Sequence, residues 1–491
     1  MNMRYFKIYT FAILAFTLPM IIANVYYIDD IGRSTSGYTR WGIDGRPLAD
    51  IVMKSLNLSD HLVDLFPLPL FIAMACLALS FLLFKRTFIG EGRLSFVVPL
   101  AFLCNPFFIE VLTYRFDVLT ISIGLLCSFA SFKRMHINTL INYCLQTLLF
   151  IAVFCTYQPI INIVVVLCVL EIFHKIHCKA TPEHIINRSL VRLSQLIASS
   201  LIYMKVILPV TFEGSHSTSH PSISSDVIST LFTNIDSYHE FIVENYFFSY
   251  GGLITSVSYV IVILLSSILI FKYIKNQANR RNASLALVAI MALLGAILSP
   301  LLSMVSLLFL ENPLTTFSRV YIGIGGYFIF LFSLLYYAIN NSRFNFAILI
   351  IAAPLLYALN LSYAYGNAIR EQDKIDRHLI SEIKSSTSKF AYNSMYIVFN
   401  GHSMRSAVLD NTVKNFPLIN VIVVDYFKNW YWPFRKMMIN GYRQLYPSKN
   451  SGIVQKSLSE MCKFSISTEN QDFNVLVRDD VIIIDFEKTR C

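Results

Sequence analysis

The chain has 491 residues, of which 55% are hydrophobic and only 14% charged, with a formal net charge of +10 and a mean hydropathy of +0.57. Several apolar runs are long enough to cross roughly 30 Å of hydrocarbon as helices, so the composition is that of a polytopic α-helical membrane protein. The positive charge would suit nucleic acid in a soluble chain, but here the basic residues gather on the loops of one membrane face, and nucleic-acid binding is excluded on that ground.

The N-terminus, MNMRYFK, leads into an apolar run from Ile8 to Ile28 with no small-residue cleavage site, which reads as a retained signal-anchor. Ten further runs follow: Leu65 to Phe84, Leu94 to Leu112, Arg115 to Phe132, Leu140 to Tyr157, Ile160 to Phe173, Leu190 to Val210, Leu253 to Tyr273, Leu285 to Leu310, Val320 to Ile339 and Phe344 to Tyr363. The total is about eleven spans, an odd number that puts the two termini on opposite sides. Lys and Arg are dense around Lys85, Arg86, Lys133, Arg134, Lys175, Lys179, Arg188, Lys272, Arg280 and Arg281, and sparse on the other loops. By the positive-inside rule the N-terminus is cytoplasmic and the chain after Tyr363 lies outside. Acidic residues concentrate on the outer segments.

The first outer loop, residues 29–64, opens the candidate site. It follows the first span with Asp29, Asp30 and Arg33, then Arg40, an exposed Trp41, Arg46 and four glycines, before a short amphipathic helix from Pro47 to His61 with Leu48, Ile51, Val52 and Leu56 as its apolar face. A carboxylate within reach of a hydroxyl can take its proton while that oxygen attacks another centre, so one of Asp29 and Asp30 is the candidate base. The plainer reading is that the pair caps a helix. A second group is Asn105 to Glu110 with Thr113 to Asp117. Charges at the mouth of two spans must be paired or wet, so Glu110, Arg115 and Asp117 form either a site wall or a structural ion-pair network. Arg115 and Arg319 are the basic residues placed to meet an outer-face phosphate. At Tyr157-Gln158-Pro159 the proline breaks the helix, leaving Gln158 and nearby carbonyls able to bind hydroxyls, or forming a plain turn.

The outer loop 211–252 is rich in Ser, Thr and His, and its part from Val227 to Phe248 has the helical apolar pattern of a lid resting on the membrane. His216 and His220 have metal-pair spacing, but Pro221 and the flanking hydroxyl residues argue for a loop, so no metal site is predicted. Six cysteines lie inside apolar runs, while Cys462 and Cys491 fall in the polar region assigned to an oxidising compartment and are candidates for a disulfide. From residue 365 to 491 the chain reads as a small α/β domain. Strands are expected at Met395 to Phe399, Leu418 to Val424, Phe473 to Val477 and Val481 to Phe486, and helices at Arg370 to Phe390, Ser403 to Phe416 and Pro433 to Leu445. Its Trp430-Tyr431-Trp432 cluster suits a sugar, the bilayer surface, or closure against the membrane module. No phosphate-cradling glycine loop and no nucleophile elbow occurs.

The aspartate pair with Arg33, the block Gly45-Arg46-Pro47-Leu48, the NPFFIE and TYRFD segments and the later YQP, taken in order, resemble the phage-type serotype-converting O-antigen glucosyltransferases, the Gtr type II family. The resemblance implies a GT-C-like membrane module (residues 1–364) with a periplasmic domain, multi-pass in a bacterial inner membrane. It implies transfer of glucose from undecaprenyl-phosphate glucose to lipid-linked O-antigen at the periplasmic face, dependent on a lipid-glucose synthase and a flippase. On this chain the base then falls on Asp29 or Asp30. The donor phosphate falls to Arg33, Arg115 and Arg319, and acceptor or sugar contacts to Trp41, Glu110, Tyr114, Asp117, Tyr157 and Gln158. No soluble cofactor is expected, and a divalent cation is not predicted. The competing readings are a lipid-linked glycan transporter, which would show polar groups near the midplane of its spans, and an O-antigen polymerase or acyltransferase.

Overall fold

A computed structural model describes residues 3–92, 95–212, 223–247, 250–277, 283–339, 341–390, 394–442, 445–448 and 451–488, with the backbone alone for 341–351. The chain divides into two compact units, residues 1–21 with 39–363, and residues 22–38 with 364–491. The short stretch 22–38, which the sequence places with the membrane module, therefore folds with the C-terminal unit.

In the first unit, eight helices among the described residues are long and apolar enough to cross a membrane: Met3–Ala23, Leu68–Ile89, Thr139–Thr156, Gln158–His177, Pro182–Thr211, Tyr250–Asn276, Ala283–Leu302 and Ser318–Ala338. Two of the other expected spans are shorter. Leu94 to Leu112 is not one helix but a ten-residue 3-10 stretch, Ser95–Cys104, containing Pro99, followed by the separate turn-and-a-half Phe108–Thr113. Pro99 and Pro106 each remove a backbone donor, and Asn105 repairs part of the break. Its Nδ2 donates to the carbonyls of Tyr321 (3.2 Å) and Ile322 (3.4 Å) and its Oδ1 accepts from Phe107 N at 3.1 Å. Irregular backbone at membrane depth is tolerated where protein buries it in this way. The run after Arg115 is the helix Asp117–Ala130, and the last expected span lies within the 46-residue helix Asn341–Ser386.

The amphipathic helix of the first loop is present at Pro47–Asn57, but its inward face is Ala49, Val52, Met53 and Leu56, with Ile51 59% exposed. The expected lid helix is Val227–Ile242. It is pinned rather than loose: Asn234 Nδ2 donates to the carbonyls of Leu308 (3.1 Å) and Leu310 (2.7 Å), and Phe241 stacks on Tyr321 with centroids 4.9 Å apart. Residues 213–222, including His216 and His220, lie outside the described residues.

The second unit holds a four-stranded sheet of β1 (Tyr396–Asn400), β2 (Ser465–Glu469), β3 (Asn474–Arg478) and β4 (Val481–Asp485) in the order β1-β4-β3-β2. The β1–β4 pair is parallel and the rest antiparallel. A two-residue turn with Asp479 at φ 53° joins β3 to β4. One sheet face packs Ile397, Phe399, Val475, Ile482 and Ile484 against Leu379, Ile383 and Met437. Leu418–Ile422, expected as a strand, is a short helix entered through Pro417. Its apolar residues Leu418, Ile419 and Ile422 share one helical face, which a short continuous run cannot distinguish from a strand. Lys436 is buried between the carboxylates of Asp373 and Asp376, and burial pushes the Asp376 carboxyl up while Lys436 pulls it down. Cys462 is disulfide-bonded; Cys491, its expected partner, lies outside the described residues.

Candidate active site

The candidate residues fall into two groups, one in each unit. In the second unit Asp29 and Asp30 occupy the first turn of the eight-residue helix Asp29–Ser36, where the helix dipole favours carboxylates. They differ in access. Asp30 is fully buried, whereas the Asp29 side chain keeps 28% of its exposure and pairs with Arg33 at 3.7 Å, one helical turn on. The helix is entered through Ile28 at φ 39°, a left-handed conformation that costs a β-branched residue about 1–3 kcal/mol. Tyr426 secures it, its hydroxyl accepting from Ile28 N at 3.0 Å, and Ile31 anchors it among Leu379, Ile380 and Tyr426. Arg33 lies over the ring of Tyr38 at 5.9 Å. Burial pushes the Tyr38 hydroxyl up to about 12 against the pull of Arg33.

In the first unit the loop from Trp41 to Arg46 is shaped by hydrogen bonds that its own sequence supplies. Asp50, in the first turn of Pro47–Asn57, reaches back so that its carboxylate accepts from Trp41 N (3.2 Å) and Gly42 N (2.6 Å). Gly45 closes the following 3-10 turn at φ 74°. A Cβ there would lie 2.6 Å from the Tyr203 hydroxyl, which donates to the Gly45 carbonyl at 2.8 Å. Gln158 locks the same loop, its Nε2 donating to Asp44 O (3.0 Å) and to the Tyr203 oxygen (2.8 Å).

Trp41 was expected to be exposed; it is completely buried among Ala49, Met53, Leu62, Phe116 and Leu119. Its indole N–H donates to Asp117 Oδ1 at 2.8 Å, and Arg46 approaches the same oxygen at 3.6 Å while holding Asp44 at 2.9 Å. Asp117 heads the helix Asp117–Ala130, so the helix dipole, the indole N–H and the guanidinium all point at its carboxylate. The Arg46 guanidinium also lies 6.0 Å from the centre of the Tyr157 ring. The Tyr157 hydroxyl is buried, has no hydrogen-bond partner among the described residues, and feels the charges of Arg319, Arg46, Glu110 and Asp117 together. Glu110 accepts from Ser318 Oγ and Arg319 N, both at 2.7 Å, capping the turn that starts Ser318–Ala338. Arg319 itself sits over Tyr114 at 4.3 Å.

The fold thus brings Trp41, Asp117, Tyr157, Gln158, Glu110, Tyr114 and Arg319 into one linked cluster. Arg115 is directed elsewhere, to Asp64 at 2.6 Å and the face of Phe66 at 4.6 Å. Asp44, Arg46, Asp50 and Tyr203 belong to the cluster although they were not among the predicted contacts. Arg46 and Asp44 were signalled by their place beside the Gly45-Arg46-Pro47-Leu48 block, whereas Tyr203, embedded in an apolar run, carried no signal. Among the described residues no group of three or more His, Cys, Asp or Glu is arranged to hold a metal ion. The cluster combines the carboxylates of Asp44, Asp50, Glu110 and Asp117 with the guanidinium groups of Arg46 and Arg319 and the Tyr157 hydroxyl, which has no partner among the described residues, a set suited to binding a hydroxyl-rich ligand.

Compared with known proteins, residues 18–332 match the family described as Glucosyl transferase GtrII. The chain is also similar to an uncharacterised 55.3 kDa protein encoded in the 5′ region of gtrB in Salmonella phage P22, 25% identical over 448 residues, which is 88% of this chain and 89% of that protein. No solved structure matches.

Proposed function

The chain belongs to the GtrII glucosyl transferase family, and from that premise we propose that it transfers glucose from undecaprenyl-phosphate glucose to lipid-linked O-antigen at the periplasmic face of the bacterial inner membrane. The observation that carries the proposal is the linked cluster of Arg46, Asp117, Tyr157, Glu110 and Arg319. Four separated sequence blocks converge on it, and it is assembled at the ends of apolar helices rather than along their middles. A transporter would need its polar groups nearer the midplane.

In the proposed reaction an acceptor hydroxyl oxygen attacks the anomeric carbon, its proton passes to an aspartate, and the bond from that carbon to the phosphate oxygen breaks with its electron pair on undecaprenyl phosphate. Asp29 is the favoured base because its carboxylate is partly accessible. The buried Asp30 serves to position the helix. The donor phosphate is assigned to Arg33, Arg115 and Arg319, whose guanidinium groups would steady it as it departs. The lipid phosphate is its own leaving group, so the scheme calls for no soluble cofactor. The glucosyl lipid would come from a synthase and a flippase acting before this chain.

Asp29→Asn and Asp30→Asn, made separately in cells that supply the lipid-linked glucose, test the assignment. With Asp29→Asn, mass and linkage analysis of the lipopolysaccharide is expected to show at least about a hundred-fold less glucosylation with the protein still inserted. Full modification in both variants would remove the aspartates from the reaction.

A further inference from the structure

Between the helices Ile161–His177 and Pro182–Ile202, at the end remote from Tyr157, lies a cavity of about 160 Å³. The 17-residue helix Ile161–His177 is roughly 25 Å long at 1.5 Å per residue, so Lys175 at the cavity's charged end stands about 20 Å along the helix from the Ile161 end, which adjoins Tyr157. Val165, Val169 and Leu196 make its wall apolar, while Lys175, Arg188 and Arg192 face a single carboxylate, Glu171.

These charges are not equally engaged. Arg192 is saturated: Nε donates to Glu171 Oε2 at 2.7 Å, and Nη1 donates to Ser131 O, Gln146 Oε1 and Gln195 Oε1 at 3.2, 3.2 and 2.9 Å. Arg188 uses only Nε, on Glu171 Oε1 at 2.9 Å, among the described residues. Lys175 has no hydrogen bond or ion pair among them. Two cations therefore stand at an apolar cavity with donors to spare. Leu190, Leu193 and Ile197, on the outward face of the same membrane-crossing helix, are 57%, 53% and 52% exposed, which is the surface a helix presents to acyl chains.

We propose that this cavity is a binding site for an anionic phospholipid of the surrounding bilayer, with an acyl chain against Val165, Val169 and Leu196 and the phosphate on Lys175 and Arg188. A free phosphate would gain nothing from the apolar wall, and a zwitterionic lipid would bring its ammonium group against the two cations. The assignment requires only that the two helices span the membrane, and stands apart from the glucosyl transfer.

Native mass spectrometry of the full-length chain, released from neutral detergent containing phosphatidylglycerol or phosphatidylcholine, tests it. The unaltered chain is expected to retain phosphatidylglycerol preferentially. Lys175→Gln, which breaks no contact, is expected to weaken retention by about five-fold, the effect of one cation near a lipid surface, and Lys175→Gln with Arg188→Gln by more. Ser189→Trp, which fills the cavity, should abolish retention, whereas Lys179→Gln, an exposed lysine outside it, should not change it. Equal retention of the two lipids, an unchanged Lys175→Gln, or displacement of phosphatidylglycerol by an equimolar polyprenyl phosphate would overturn the proposal.

Discussion

Two buried arginine–carboxylate clusters stand at opposite ends of Gln158–His177, and they are finished differently. Around Glu171 the carboxylate has both oxygens occupied, and Arg192 has five hydrogen bonds and a ring beneath it, with Phe132 at 4.3 Å. Around Asp117 the partners include an indole and Arg46, and beside them a buried tyrosine hydroxyl is left without a partner among the described residues. The loop that supplies Arg46 also carries backbone strain, with Arg40 at φ 61°. A saturated polar network fixes a scaffold; a buried hydroxyl with no partner is a cost that a ligand can offset. The comparison assigns stability to the Glu171–Arg192 network at one end of the helix and the binding that serves transfer to the Asp117 cluster at the other.

The largest expected effect breaks the scaffold end. Glu171→Gln leaves Arg192 buried without its counter-charge, a change of about 3–5 kcal/mol, and thermal unfolding in detergent should show a large loss of folded protein, with glucosylation lost in proportion. Next comes Asp117→Asn. Asparagine still accepts the Trp41 indole bond but gives up the charge opposite Arg46, so the fold should survive while transfer falls by about ten- to a hundred-fold, the value of one charge-assisted contact of about 1.5–3 kcal/mol. Unfolding temperature and lipopolysaccharide analysis on the same preparations separate the two outcomes. If Asp117→Asn unfolds the chain as Glu171→Gln does, both ends are scaffold and the contrast fails.

The sequence makes the scaffold visible more readily than the site. Membrane helices are legible because the bilayer demands uninterrupted apolar length, and the interruption at Pro99 and Pro106 is written in residues that cannot donate. Within the site, charged residues at span mouths were conspicuous, and Glu110, Asp117 and Arg319 do meet in one cluster. Their partners were not conspicuous. Trp41 and Asp117 are 76 residues apart, and no local pattern says that an indole in a glycine-rich loop will be swallowed rather than displayed. The same holds for Ile31, which joins a core whose other buried members begin at Leu379, more than three hundred residues later. In the C-terminal unit, β2 is a polar edge strand, SISTE, with little burial on either face, so it lacks the alternation that reveals a strand.

The smallest expected effect is also the sharpest test of the contrast. Tyr157→Phe removes the unengaged hydroxyl and keeps the ring that lies beneath Arg46. Because that oxygen has no hydrogen-bond partner among the described residues, deleting it should leave stability unchanged or raise it by up to about 1 kcal/mol, the reverse of an ordinary buried tyrosine. Glucosylation should nonetheless fall by a few-fold to about ten-fold, the worth of one hydrogen bond to a bound ligand. A tyrosine that merely fills space predicts no change in transfer. One that is tied into the scaffold predicts a drop in unfolding temperature. Only a hydroxyl reserved for a ligand predicts a chain at least as stable and a slower reaction.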